Sequence, residues 1–336
     1  MKTEMDFIEI TQKYLSTSCS SSIKPTNINP LSFPISESAC GKAIVVGEHA
    51  VVYGAKAIAL PLRDLRLELS IKEDIPALTN SRPLSLKQKK LRSLMDQSCQ
   101  NLGLPPIPYE IEAHSNILMG AGLGSSAALC VALIKLTFKT YAKKINPSLL
   151  ATVAKKLERN FHGTPSGLDT TVVSYEKPIL FQKHKKTQLI HISQPCIQGK
   201  FHKWPFVLID SGLRAPTSLM VERAKPFFMS KNQKKIIKSF DDIALNTLEA
   251  LQDGDIQKLA HNMNLAESYL ENADVLPQIM QKQKEQILNC DVLSVKITGA
   301  GGGGCFLSLL DPSNFKAQFE KLSKLFGAHN LYSIFI

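Results

Sequence analysis

The sequence predicts an α+β protein of two domains that meet near Lys203, and three observations carry that expectation. Strand-like alternation and helix-like periodicity interleave in both halves of the chain. From Pro216 to Leu288 the pattern turns helical. With 336 residues, 44% of them hydrophobic and 21% charged, the chain can bury two cores. Residues 1–35 stand apart as a polar extension, because 16–36 are rich in Ser, Thr, Pro and Asn. The expected boundaries are therefore 1–35, 36–203 and 204–336.

The elements follow in order. Ala39 to Leu62 reads as two strands around a turn at Gly47, and Leu65, Leu67, Leu69 and Ile71 then alternate with Arg66, Glu68 and Ser70 as a half-buried strand. Pro76 and Pro83 mark a loop, and a helix from Leu86 to Leu102 turns Leu86, Leu91, Leu94 and Met95 inward. Tyr109, Ile111 and Ala113 alternate with Glu110, Glu112 and His114 on the next strand. The run from Ala127 to Tyr141 is apolar enough for a buried helix, with Ser125 or Ser126 as its cap. Asn146 and Pro147 form an N-cap and N1 pair for a helix through about Leu157, with Glu158 at its end. Strands are expected at 178–182, 188–193, 204–210, 292–298 and 305–310, then a helix and a final strand from Leu331 to Ile336.

Composition narrows the function classes. The formal charge of +11 and the basic runs Lys87–Arg92 and Lys231–Lys238 invite a nucleic-acid reading, but aromatics are sparse beside both, so solvated helix faces account for them. Seven cysteines without a C-x-x-C pair suggest reduced thiols in a cytoplasmic compartment and no zinc site. The eight histidines lack a shared helical spacing, so a metal would be held through oxygen. The N-terminus reads as neither signal peptide nor anchor, and glycines and hydroxyls interrupt the uncharged stretch 115–134, so no membrane partner is expected.

Three constellations carry chemistry. Gly120, Ala121, Gly122, Leu123, Gly124, Ser125 and Ser126 lie between a strand and a helix, where free amides and the helix dipole suit a nucleotide's phosphates. The P-loop pattern G-x-x-x-x-G-K-[ST] is absent, and a glycine loop alone equally describes tight packing. Gly299 to Gly304 satisfies G-x-G-x-x-G, yet a strand follows where a dinucleotide site needs a helix; close ligand approach and a bulged hairpin both fit. Lys42 and His49 flank an apolar strand, while Glu158 and Asp169 are brought together by a Pro-Ser-Gly turn. Taken singly, each has a structural alternative: a surface lysine, a satisfied histidine, a solvated glutamate, a helix cap.

In this order, Gly-Glu-His-Ala-Val-Val-Tyr-Gly at 47–54, the loop 120–126, His-Gly-Thr-Pro-Ser-Gly-Leu-Asp at 162–169 and Lys-Ile-Thr-Gly-Ala-Gly-Gly-Gly-Gly-Cys at 296–305 resemble the GHMP kinase superfamily. The resemblance runs from about Ser36 to the C-terminus. It implies a two-domain GHMP kinase fold, an N-terminal α+β domain like that of a ribosomal protein joined to a ferredoxin-like one, with the active site between them. It implies ATP and Mg²⁺ as cofactors and transfer of the γ-phosphoryl group to a small alcohol, the motifs standing nearest to members that act on mevalonate in isoprenoid biosynthesis. Asp169 takes the place of the general base, Lys42 the lysine beside it, and Ser126 and Glu158 the metal ligands. His49, Ser166, Thr217, Gly299, Ala300 and Gly301 match substrate-side positions, Thr217 in loosely matching surroundings. Cys40 departs from the family's usual proline. A homodimer is compatible with the resemblance. A sister kinase acting on phosphomevalonate, homoserine or a sugar stays open, as does a non-catalytic nucleic-acid-binding relative.

Overall fold

The computed structural model describes residues 34–71, 85–197 and 199–335; most of the polar extension and the Pro76/Pro83 loop lie outside the described residues. The first sheet is built on a long antiparallel hairpin, β1 (Ile35–Val46) and β2 (Ala57–Ile71), joined through a 3-10 turn at Ala50–Tyr53. Sequence alternation suggests two strands where β2 is one. The pairing jumps from Cys40 opposite Arg66 to Gly41 opposite Leu62, so exposed Arg63 and Asp64 and buried Leu65 form a bulge inside a continuous strand.

Strands β3 (Glu112–Ser115), β4 (Ile179–Phe181) and β5 (Gln188–Leu189) complete this sheet in the order β1-β2-β4-β5, with β3 also on β2. Both the strand expected at 109–114 and that at 188–193 are shorter than their patterns. Helices α1 (Leu86–Asn101), α2 (Ser125–Thr140), α3 (Pro147–His162) and α4 (Leu168–Tyr175) belong to this half: α2 and α4 pack on the sheet, and α1 and α3 pack on those helices. Ser85 and Gln88 cap α1 reciprocally. Lys87, Lys89 and Lys90 face solvent as expected, but Arg92 is half-buried and donates to the Tyr109 carbonyl, and Leu86 does not turn inward: it occupies the first helical position and is 87% exposed. Asn146 caps α3 with Pro147 at its first turn, as the sequence predicts.

A short ribbon, β6 (Cys196–Ile197) with β7 (Lys200–Phe201), precedes the second sheet. That sheet comprises β8 (Pro205–Asp210), β9 (Ser294–Thr298), β10 (Cys305–Leu309) and β11 (Leu331–Phe335), all antiparallel in the order β11-β8-β10-β9. Helices α5 (Thr217–Phe228), α6 (Gln233–Asp253), α7 (Ile256–Asn272) and α8 (Gln278–Leu288) lie between β8 and β9, and α9 (Phe315–Phe326) between β10 and β11. Numbering the four strands in chain order gives 4-1-3-2, the split β-α-β arrangement of ferredoxin-like domains.

The two sheets are knitted together by backbone. The Ile44 amide donates to Thr298 Oγ1 at 2.9 Å, the Cys305 amide to the Ala121 carbonyl at 3.0 Å, and the Lys56 amide to Asp241 Oδ1 at 2.7 Å. Gly122 sits in the left-handed region (φ +79°), and a Cβ there would lie 2.1 Å from the Thr298 carbonyl oxygen. Gly122→Ala therefore combines backbone strain with a collision against main chain, a loss of about 2 kcal/mol or more and a fall in Tm of roughly 5 °C. Gly103 is also left-handed but has open space around it. Gly103→Ala is the control: an equal fall in Tm would remove the collision from the explanation.

Candidate active site

Lys42 reaches the junction of the sheets because the register break in β1 falls just before it. Its amide donates to the Leu123 carbonyl at 2.9 Å, and its methylene stem runs over Gly124, where a Cβ would come within 2.8 Å of the side chain. The side chain is 2% exposed, and its Nζ stands 3.2 Å from Asp169 Oδ2. An apolar stem lying along glycine with its charge on a carboxylate is how a long cation is held in a protein interior.

Gly120, Gly122 and Gly124 all have positive φ, so the chain coils into the start of α2 in a conformation that other residues adopt at a cost. This corrects the expected cap. The N-cap of α2 is Gly124, which makes no side-chain cap, while Ser125 and Ser126 lie inside the first turn. The left-handed glycine takes the capping position, and the first amides of α2 carry no side-chain acceptor, which suits an anion. Ser126 is engaged elsewhere: its hydroxyl lies 3.0 Å from His162 Nε2.

Glu158 is not a terminal residue of its helix, since α3 continues to His162 and buries Glu158 to 2% exposure. Burial, reinforced by the Asp169 charge, pushes its carboxyl up to about 8, against the pull of Lys42, Lys155 and a hydrogen bond from Ser126. Asp169 sits in the first turn of α4, after left-handed Gly167, and is 29% exposed. Ser166 shapes that turn: its Oγ accepts from the Leu168 amide at 3.2 Å and its carbonyl accepts from Lys155 Nζ at 2.9 Å. His162 and Lys155 are site residues that motif reading passed over. Spacing could have found both, because they stand four after and three before Glu158, on one helix face.

The native state keeps a proton on Glu158 to about pH 8, whereas an unfolded chain loses it near 4.5. Over that window the folded protein binds more protons, so stability falls as pH rises, by up to about 1.4 kcal/mol per pH unit for such a group. Buried Glu48 and Glu267 are raised too and act in the same direction. The Tm of the nucleotide-free protein should drop from pH 5 to pH 8, and Glu158→Gln should lessen the drop. An unchanged slope in the variant would show that Glu158 ionises normally.

The opposite wall comes from the second sheet. Gly299 packs against Gly122, where an added Cβ would lie 2.7 Å from the Gly122 Cα, and the Ala300 carbonyl lies 2.9 Å from His49 Nε2. Gly301 is held under the Val275 carbonyl in the same loop. His49 is buried, which pushes its imidazole down toward the neutral form, and it stacks on Phe228, which also stacks on Tyr53. Thr217 is the exposed first residue of α5; its neighbours Ala215 and Met220, rather than Thr217, approach the loop at Gly302. Arg214, another residue outside the motifs, is paired with Asp210 through both carboxylate oxygens and donates from Nε to the Met119 carbonyl at 3.0 Å, fastening the start of the glycine loop to β8.

Lys42, Ser126, Glu158 and Asp169 thus converge from four elements, beside a glycine loop at a helix start. Among known proteins, the chain is 30% identical over 289 residues to the mevalonate kinase of Archaeoglobus fulgidus, covering 84% of this chain and 94% of that one. The GHMP kinases N terminal domain model matches residues 89–177 and the GHMP kinases C terminal model residues 247–328. The chain belongs to the GHMP kinases. Its fold is that of solved members. The Methanococcus jannaschii mevalonate kinase superposes with a TM-score of 0.72 at 23% identity, covering 91% of this chain and 98% of that one. The L. major mevalonate kinase in complex with R-mevalonate gives 0.73 at 21% identity, covering 93% and 98%. As a GHMP kinase the protein is an ATP-dependent enzyme acting on a small molecule. No described helix of this kinase is long and apolar enough to cross a membrane.

Proposed function

We propose that this GHMP kinase phosphorylates the 5-hydroxyl of mevalonate, giving 5-phosphomevalonate and ADP. The observation that carries the reading is the pairing of buried Lys42 with the partly exposed Asp169, beside the glycine loop. The sequence likeness to the Archaeoglobus fulgidus mevalonate kinase supports mevalonate as the acceptor.

In this reading the α2 amides hold the nucleotide phosphates, and Asp169 accepts the proton of the attacking hydroxyl. Lys42 pairs with Asp169 and offsets the negative charge that builds on the acceptor oxygen. His49, Ser166, Thr217 and the 299–301 backbone orient the acceptor, so the reaction is assisted by alignment and charge without covalent participation of the protein. Ser126 and Glu158 suit Mg²⁺: one hydroxyl and one carboxylate, in a site where two acids face Lys42, call for a hard cation that keeps oxygen ligands from water and phosphate. When bound, Mg²⁺ neutralises phosphate charge. Two domains divided at 203/204 and a cytoplasmic location belong to the same proposal; the six described cysteines are free thiols.

Purified protein given Mg²⁺ and ATP should form ADP with mevalonate and not with phosphomevalonate, homoserine or galactose; turnover on one of those alone would transfer the assignment to a sister kinase. Glu158→Gln should raise the Mg²⁺ concentration for half-maximal rate by about tenfold, since a neutral amide is a poorer ligand for a hard cation. An unchanged requirement would place the ion on another carboxylate.

A further inference from the structure

Behind the His49–Ala300 wall lies a second set of charges that the chemistry above does not use. Glu48, Lys296 and Glu267 are all within 1% of complete burial. Lys296, on β9, donates from Nζ to the Glu48 carboxylate and to the Ile297 carbonyl. Glu267, on α7, accepts from the Ile297 amide at 3.1 Å. Glu48 Oε2 and Glu267 Oε1 find no hydrogen-bond partner among the described residues.

Lys296 is paired with Glu48, while Glu267, bonded to the Ile297 amide, feels the same lysine through its charge alone. Burial raises both carboxyls, Glu267 up to about 7, with Lys296 and Lys284 pulling it back and Glu48 pushing it further up. Lys42 adds a smaller pull on Glu48. Apolar side chains of similar volume often match a buried ionic cluster in stability, so stability alone gives no reason to keep one here. Its place in the chain does. Glu48 directly precedes His49, and Lys296 lies four residues before Ala300, whose carbonyl meets His49. The ion pair bridges the turn after β1 to the strand entering the 299–301 loop, holding both halves of the wall from behind.

We propose that Lys296, clasped by Glu48 and contested by Glu267, is a positioning residue that sets the acceptor side of the active site. Acceptor binding depends on the clasp, while nucleotide binding, built on 120–124, depends on it far less. Ionisation of Glu267 adds a second claim on Lys296 and loosens its hold on Glu48. The inference rests on reading His49 and the 299–301 loop as the acceptor wall.

The experiment is steady-state kinetics of the full chain with mevalonate and MgATP, checked by thermal unfolding. Lys296→Met and Glu48→Gln should raise the acceptor KM by about tenfold and fivefold, with ATP KM and kcat within roughly threefold of native. Glu267→Gln keeps the acceptor for the Ile297 amide and removes the competing charge. The acceptor KM of the native enzyme should therefore rise by about threefold between pH 6 and pH 8, and that of Glu267→Gln should rise clearly less. Acceptor KM within twofold of native in the folded variants, or ATP KM and kcat moving with it, would overturn the inference. If Lys296→Met and Glu48→Gln do not fold, the Glu267→Gln profile decides: one that tracks the native profile overturns it. Absence of turnover by the native enzyme on any alcohol defeats the kinase assignment instead, so the two failures are distinguishable.

Discussion

Asp169→Asn is expected to lower kcat by about three orders of magnitude while changing ATP affinity by less than roughly threefold, because the amide keeps the shape of the carboxylate and cannot take a proton. The second half of the result is a shift of the Glu158 carboxyl. The Asp169 charge is, after burial, the main influence raising it, so its removal leaves Glu158 more ionised near neutral pH. A spectroscopic titration of the metal-free variant should find the Glu158 carboxyl lower than in the native enzyme, a readout that needs no turnover. Parallel loss of nucleotide affinity and rate would assign Asp169 to binding.

Lys42→Met is expected to be nearly as damaging by a different route. Methionine preserves the stem that packs over Gly124 and removes the charge 3.2 Å from Asp169. Loss of that cation withdraws the partner of the general base and the group that offsets charge on the acceptor oxygen, worth about two or more orders of magnitude in kcat. Lys42 also draws the Glu158 carboxyl down, so without it Glu158 holds its proton to higher pH. The two substitutions thus push the Glu158 carboxyl in opposite directions while both abolish most of the rate. A shift of the same sign in both variants would refute the assigned electrostatics.

Much of this was legible from residue order. The alternation of Leu65, Leu67 and Leu69 predicts a half-buried strand, and these side chains are buried in β2. Asn146-Pro147 marks the start of α3 to the residue, because an N-cap acceptor and a proline at the first turn are local chemistry. The glycines of 120–124 announce left-handed backbone for the same reason. The serine cap of α2 failed because glycine and serine both serve at helix starts, and the choice followed from how the Lys42 stem packs over left-handed Gly124.

Local pattern settled the strands, the helices and the residue types able to bind phosphate, hold a cation or take a proton, since each depends on neighbours a few positions away. Burial and charge coupling came only with the folded chain. Nothing within α3 distinguishes Glu158 from a solvated glutamate; burial, and the Asp169 charge brought from another element, raise its carboxyl against the pull of Lys42 and Ser126. Glu48 and Lys296 are 248 positions apart and meet only where two sheets close on each other. Coulomb interaction and desolvation act through space and depend on what surrounds a charge, so they are properties of the assembled core rather than of the order of residues along it.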